Sequence, residues 1–315
     1  MGGCILDVDG IRVGTATDKE ALTGCTVVLP DREAVAGVDV RGSAPGTRET
    51  DLLKPTKLVD KLHGVLLSGG SAFGLDAAAG VMGYLEEQGK GFTVENATVP
   101  IVPAAVIFDL GVGNSSVRPG KEMGYNACVV ATRDAVEEGN VGAGTGATVG
   151  KVMGLDCATK SGQGTACISA GNLTVGALAV VNAMGDIFDN NGKQIAGPRS
   201  PEDGSFMNTG EIITSGGDKK KNIEPGNTTL GVVATNARLN KEGVNKVAQM
   251  AQDGLARSIW PVHTMWDGDT VFVLSLGEEE ADWSLTGMLA AEALAEAVQR
   301  AVLMAVPAGG IPAAG

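Results

Sequence analysis

Glu224-Pro-Gly-Asn-Thr-Thr-Leu-Gly-Val-Val-Ala-Thr-Asn236 sets a turn directly against an apolar run of strand length. The turn residues come first, and Leu230 to Ala234 then offers the β-branched and apolar character of a buried strand. Thr228 therefore stands at the junction of a turn and a rigid element. In one reading, Asn227 tolerates unusual backbone angles there and Thr228 simply opens the strand. The other reading is chemical. A peptide bond strained at a fixed strand end lets Thr228 Oγ attack the Asn227 carbonyl, giving an ester that water opens. The new chain would begin at Thr228, and its free α-amine, with an ordinary pKa of about 8, could serve as base for its own hydroxyl. The segment alone leaves both readings open.

Upstream of this junction, Arg199 to Lys221 is rich in Gly, Ser, Asp and Asn and ends in three lysines, which predicts a mobile surface loop or linker. Val175 to Val181 reads as a strand, and Gly142-Ala-Gly-Thr-Gly-Ala-Thr-Val-Gly-Lys151 as a glycine-rich loop. Asp134 to Glu138 is expected to end a helix. Nearer the N-terminus, Gly24 to Leu29, Val38 to Val40, Val65 to Leu67 and Val102 to Asp109 read as short strands. Ala72 to Gln88 carries apolar residues at helical spacing up to Gly89. Downstream, Asn240 is expected to cap a helix, Thr270 to Ser275 to form a strand, and Trp283 to Ala305 to form a closing amphipathic helix. Sheets and helices alternate without a linker-like break, so residues 1–315 read as one α/β domain of layered sheets and helices.

Composition narrows the function. The chain has 315 residues, 43% hydrophobic and 19% charged, which is a globular composition. Its net charge of −13 and 3% aromatic content argue against nucleic acid or an anionic membrane as partner. The 47 glycines lack the collagen period and imply tight turns and close backbone approaches. Five scattered cysteines without a Cys-x-x-Cys pair suit a reducing compartment. The N-terminus lacks the basic and apolar regions of a secretory signal. The uncharged stretch between Lys160 and Asp186 is interrupted by Gln163, Asn172 and Asn182, against a membrane span. A cytoplasmic location is expected.

Familiar catalytic motifs fail on spacing. A Walker loop around Gly150-Lys151 lacks its first glycine, because Thr145 stands there, and Val152 replaces the Ser/Thr. Gly142-Ala-Gly144-Thr-Gly-Ala147 fits a dinucleotide turn only nominally. The calcium-loop spacing of Asp267, Asp269 and Glu278 fails at Phe272, where glycine belongs. Ser71 lacks the second glycine of a nucleophile elbow. His63 and His263 alone give no support for a Ser-His-Asp enzyme.

A resemblance weighs on the open choice at Thr228. Asn227-Thr228-Thr229, Gly37-Val-Asp-Val-Arg-Gly-Ser-Ala-Pro-Gly-Thr-Arg-Glu-Thr50, Leu67-Ser-Gly-Gly-Ser-Ala-Phe-Gly-Leu75 and His263-Thr-Met-Trp-Asp-Gly-Asp-Thr270 together resemble the DmpA-type L-aminopeptidase/D-esterase family. That family includes β-peptidyl aminopeptidases and nylon-oligomer hydrolases. The resemblance implies a four-layer αββα sandwich, of the type shared with ornithine acetyltransferases. It also implies a precursor that cuts itself into an α chain, residues 1–227, and a β chain, residues 228–315.

Thr228 is then the nucleophile, with Asp267 and Asp269 matching its acidic partners, and their repulsion could raise one pKa. Asn182 matches a residue whose amide donates to the developing oxyanion, and Lys151 a cation of the nylon-oligomer branch. Taken singly, Asp267-Gly-Asp269 reads as a surface turn, Asn182 as a strand-end hydrogen bonder and Lys151 as an exposed salt-bridging lysine. Phe108 stands where several members have a tyrosine, and a phenyl ring cannot donate to an oxyanion.

The resemblance implies a cofactor-free hydrolase of linear amides, such as aminohexanoate oligomers or peptides, working through an acyl-enzyme as a homotetramer of processed heterodimers. Alternatives are an aminopeptidase or β-peptidyl aminopeptidase, an ornithine-acetyltransferase-like enzyme passing the acyl group to an amine, and a non-catalytic glycine-rich binding protein.

Overall fold

A computed structural model describes residues 3–215 and 226–314. The strands of its two main sheets, numbered among themselves, are β1 (Ile11–Asp18), β2 (Thr23–Pro30), β3 (Ala34–Val40), β4 (Thr47–Arg48), β5 (Lys61–Leu62), β6 (Val65–Ser68), β7 (Ala104–Val106), β8 (Gln163–Ala170), β9 (Leu173–Asn182), β10 (Thr228–Ala237) and β11 (Thr270–Glu279). The first sheet has the order β1-β2-β6-β7-β4 and the second β8-β9-β10-β11-β3-β5. Only β6–β7 and β10–β11 run parallel within them. Five α-helices are described: α1 (Ala77–Glu87), α2 (Lys121–Val129), α3 (Thr209–Thr214), α4 (Lys241–Ser258) and α5 (Trp283–Leu303).

Side-chain alternation builds the layers. On β9, β10 and β11, Leu178, Val180, Leu230, Val232, Phe272 and Leu274 face the other sheet, where they meet Val13, Val28, Val65 and Leu67. The opposite residues, Val175, Ala177, Val181, Val233, Val271 and Val273, pack under α4 and α5. Beyond the first sheet, Val27, Leu29 and Leu66 pack against Ala77, Val81 and Leu85 of α1 and Ala127 of α2. The order is helix, sheet, sheet, helix: the four-layer αββα sandwich. Close backbone approach accounts for part of the glycine content. A Cβ on Gly254 of α4 would stand 2.2 Å from the Ala291 carbonyl oxygen of α5, so no side chain fits there.

Several local expectations need correction. Residues 134–138 are not helical; the helix there is α2, ending before Val130. Thr132 instead exchanges two backbone hydrogen bonds with Val13, which ties the chain to the edge of the first sheet. Ala72 to Gln88 begins as a 3-10 turn, Ser71–Asp76, before α1. The proposed surface loop holds α3, with Asn208 capping the Glu211 amide and Arg199 bridged to Phe206; its residues 216–221 lie outside the described residues. The glycine-rich segment 142–151 lies inside, with Gly142 to Gly150 buried throughout and a 3-10 turn at Gly142–Gly144. Asn240 does cap α4, accepting from the Gly243 amide at 2.9 Å. Among the described residues no helix is long and apolar enough to cross a membrane.

Candidate active site

Sheet register brings the site together. Asn182, the last residue of β9, lies directly opposite Thr228, the first of β10. On the other side of β10 runs parallel β11, with Leu230 paired to Thr270. The two residues 267 and 269 just before β11 therefore flank the entry to β10, where Asn227 bridges Asp267. By the alternation along β10, Thr228 shares the face of Leu230 and Val232, between the two sheets. Three strand ends thus place Asn182, Thr228 and the Asp267–Asp269 pair side by side.

Thr228 Oγ donates to its own preceding carbonyl, Asn227 O, at 2.5 Å. The backbone amide of Gly268 reaches the same oxygen at 2.8 Å. A side-chain hydroxyl and a backbone donor thus bear on one peptide group. Gly268 is needed for this approach, because a Cβ there would lie 2.7 Å from Thr228 Oγ. On the other side of the junction, Gly226 adopts a φ of +134°, and a Cβ there would meet the Phe108 ring at 2.8 Å.

Asn182 does a different job in this continuous chain from oxyanion donation. Its Nδ2 donates to Phe108 O at 3.1 Å and Gly226 O at 3.2 Å. Its Oδ1 accepts from Lys151 Nζ at 2.7 Å and from the Thr148 amide at 3.1 Å. The backbone donor on the Asn227 carbonyl is Gly268, a contact that sequence reasoning did not find. Lys151 is likewise no salt-bridging surface lysine: its ammonium also reaches Asn182 O at 3.1 Å. Burial pushes the Lys151 pKa down to about 7, against the pull of Asp267 and Asp109.

Asp267 and Asp269 are 2% and 1% exposed, far from the surface turn their spacing suggests in isolation. Burial raises the Asp267 pKa, and repulsion from Asp269 adds to it. Asp267 Oδ2 accepts from the Thr264 amide and hydroxyl at 2.8 and 2.5 Å. Asp269 Oδ1 accepts from the Thr229 amide at 2.7 Å, which ties it to the residue after Thr228. Asp269 Oδ2 takes Nδ1 of His263 at 2.8 Å. The Thr264-x-x-Asp267 spacing is a local side-chain cap visible in the sequence, whereas His263 offered no signal of its own.

A cavity of about 350 Å³ opens beside Asn227, between Phe108, Val112, Lys151, Met153 and Leu155. Phe108 faces it without a hydroxyl to offer. Behind it, Asp109 is buried, accepting from Thr23 Oγ1 and the Gly70 amide, and burial raises its pKa. Among the described residues no cluster of three or more His, Cys, Asp or Glu could hold a metal ion.

With this geometry in view, the sequence model of Peptidase family S58 matches residues 3–313. The chain belongs to Peptidase family S58. It is 43% identical to an uncharacterised aminopeptidase of Mycobacterium leprae, over 98% of this chain and 92% of the relative. It is 31% identical to a 6-aminohexanoate-oligomer endohydrolase of Agromyces sp. strain KY5R, over 86% of this chain and 74% of the relative. Among solved structures, the L-aminopeptidase D-Ala-esterase/amidase of Ochrobactrum anthropi superposes with a TM-score of 0.74 at 20% identity, covering 99% of this chain and 90% of that one. That structure is described as a variant of the Ntn hydrolase fold, and the S58 chain shares its fold. As a family member it is a hydrolase of amide or peptide bonds.

Proposed function

We propose that this S58 chain is a self-processing N-terminal threonine hydrolase of linear amides. The observation that carries the reading is the joint hold on one carbonyl, with Thr228 Oγ at 2.5 Å and the Gly268 amide at 2.8 Å from Asn227 O. Oγ attacks the Asn227 carbonyl carbon while its proton passes to the peptide nitrogen. The C–N bond breaks and an ester joins Asn227 to Oγ. Water then hydrolyses the ester, leaving a carboxylate on Asn227 and a free amine on Thr228. The Gly268 N–H bears on the oxygen where negative charge develops.

The same parts then act on substrate. The Thr228 amine takes the hydroxyl proton, Oγ attacks the substrate amide, and the leaving amine departs with a proton. Water resolves the acyl-enzyme. Once Gly226 moves off, one N–H of Asn182 is released toward the acyl oxygen, and the Lys151 cation supports the charge. The apolar walls of Phe108, Val112, Met153 and Leu155 suit an unbranched acyl chain, as in aminohexanoate oligomers or peptides. A second reading, an aminopeptidase acting at chain ends, is favoured by the higher identity to the mycobacterial aminopeptidase. A cytoplasmic homotetramer of processed heterodimers completes the proposal, and native mass spectrometry tests that assembly.

Intact mass spectrometry of purified protein should find two chains divided between Asn227 and Thr228. Thr228→Ala should stay whole and inactive; division of that variant at the same bond would refute the assignment. A panel of aminoacyl anilides, β-peptides and aminohexanoate oligomers separates the two readings, because an aminopeptidase releases only terminal residues.

A further inference from the structure

The Asp267–Asp269 pair is flanked by a histidine that none of the steps above uses. His263 has a φ of +55°, in the left-handed region that a side chain with a Cβ rarely adopts. That conformation turns both its backbone N–H and its ring Nδ1 onto one atom, Asp269 Oδ2, at 3.1 and 2.8 Å. The other ring nitrogen, Nε2, is buried with no hydrogen-bond partner. With a carboxylate at Nδ1 and no acceptor at Nε2, the geometry puts a proton on Nδ1, donated to Asp269. Asp269 itself is 1% exposed, and its second oxygen holds the Thr229 amide at 2.7 Å. Strained backbone and an orphaned ring nitrogen each cost stability, and the arrangement that results aims two donors at a single carboxylate oxygen.

We propose that His263 is a positioning residue that acts through Asp269: its ring N–H fixes the carboxylate that anchors the strand start at Thr229 and so aligns Thr228 Oγ. This rests on the nucleophile assignment above. His263→Gly accepts the left-handed backbone and keeps the backbone N–H but removes the ring donor. His263→Asn also tolerates that backbone, and its side-chain amide can replace Nδ1–H. The expected result is a loss of about 10²-fold in self-cleavage and in kcat for the glycine variant, with KM little changed. The asparagine variant restores both, and added imidazole rescues the glycine variant in part. Thermal melting and circular dichroism verify that the variants are folded.

The inference is overturned if folded His263→Gly matches wild type, or if His263→Asn is as slow as His263→Gly at wild-type Tm. Should the glycine variant not fold, His263→Ala takes its place as the variant without a ring donor: a folded, slow alanine variant beside a wild-type-like His263→Asn supports the inference, and an alanine variant at wild-type kcat overturns it. Wild-type protein run alongside separates the two levels. An uncut, inactive wild type overturns the nucleophile assignment and this inference together, whereas a cut, active wild type beside an unaffected glycine variant overturns only the latter.

Discussion

Thr228 Oγ works in a space with almost no slack, and the tightest wall is Gly268. A methyl group there would meet Thr228 Oγ at 2.7 Å and Ala44 O at 2.8 Å, closer than side-chain carbons come to such atoms. Gly268→Ala must therefore displace either the hydroxyl or the amide that faces Asn227 O. Self-cleavage should slow by about 10²-fold, seen as persistence of the full-length band on a denaturing gel. Lys151 gives a second prediction at this scale. Its pKa of about 7 means that the cation is present below that pH and is lost as pH rises through it. If the cation supports the acyl intermediate, kcat should fall along an alkaline limb near pH 7. Lys151→Met should remove that limb and lower the plateau by about 10²-fold.

The residue types at this site were legible, but their partners were not. Thr228 and the Asp267–Asp269 pair are readable as a turn–strand junction and a matching motif. That Asn182 faces Thr228 depends on which strands become neighbours, and local periodicity carries no such information. The Gly268 amide is backbone, so no side chain advertises it.

At the level of elements, strands and helices with strong alternation or a clear cap were readable, including β9, β10, β11, α4 and α5. Where the chain is governed by distant pairing, the reading failed. Residues 134–138 follow the tie of Thr132 to Val13. The segment 142–151 reads only as glycine-rich, and its burial from Gly142 to Gly150 has no local signal. Burial also takes in Lys160, in the two-residue strand Thr159–Lys160. Lys160 is 0% exposed, its Nζ donates to Ala147 O and Ser161 O, and burial lowers its pKa to about 7. The unfolded chain keeps the ordinary lysine value, so between pH 7 and about 10 it binds more protons than the folded one. The burial penalty is full below pH 7 and is relieved as pH climbs, so this lysine makes stability rise with pH in that window. Lys160→Met should flatten that portion of a stability–pH curve measured by urea unfolding.

Across the whole molecule, the layered α/β architecture follows from alternating elements, while the pairing order of the second sheet does not. The proposed cut falls inside that sheet. β10 and β11 belong to the piece after Asn227, and their neighbours β9 and β3 belong to the piece before it. The two products should therefore elute together in gel filtration after processing and separate only in denaturant. Co-elution would be lost if the pieces were joined merely by a surface contact.

The proposed nick would thus leave two polypeptides dovetailed, with the central planks of one sheet cut from a different piece than the boards on either side. Made separately, the later piece would expose both flanks of its parallel pair as raw hydrogen-bonding edges, an invitation to aggregate. If the chain is cut there, folding first and cutting afterwards avoids those edges, so co-expressed halves should yield far less soluble enzyme than the single translated chain.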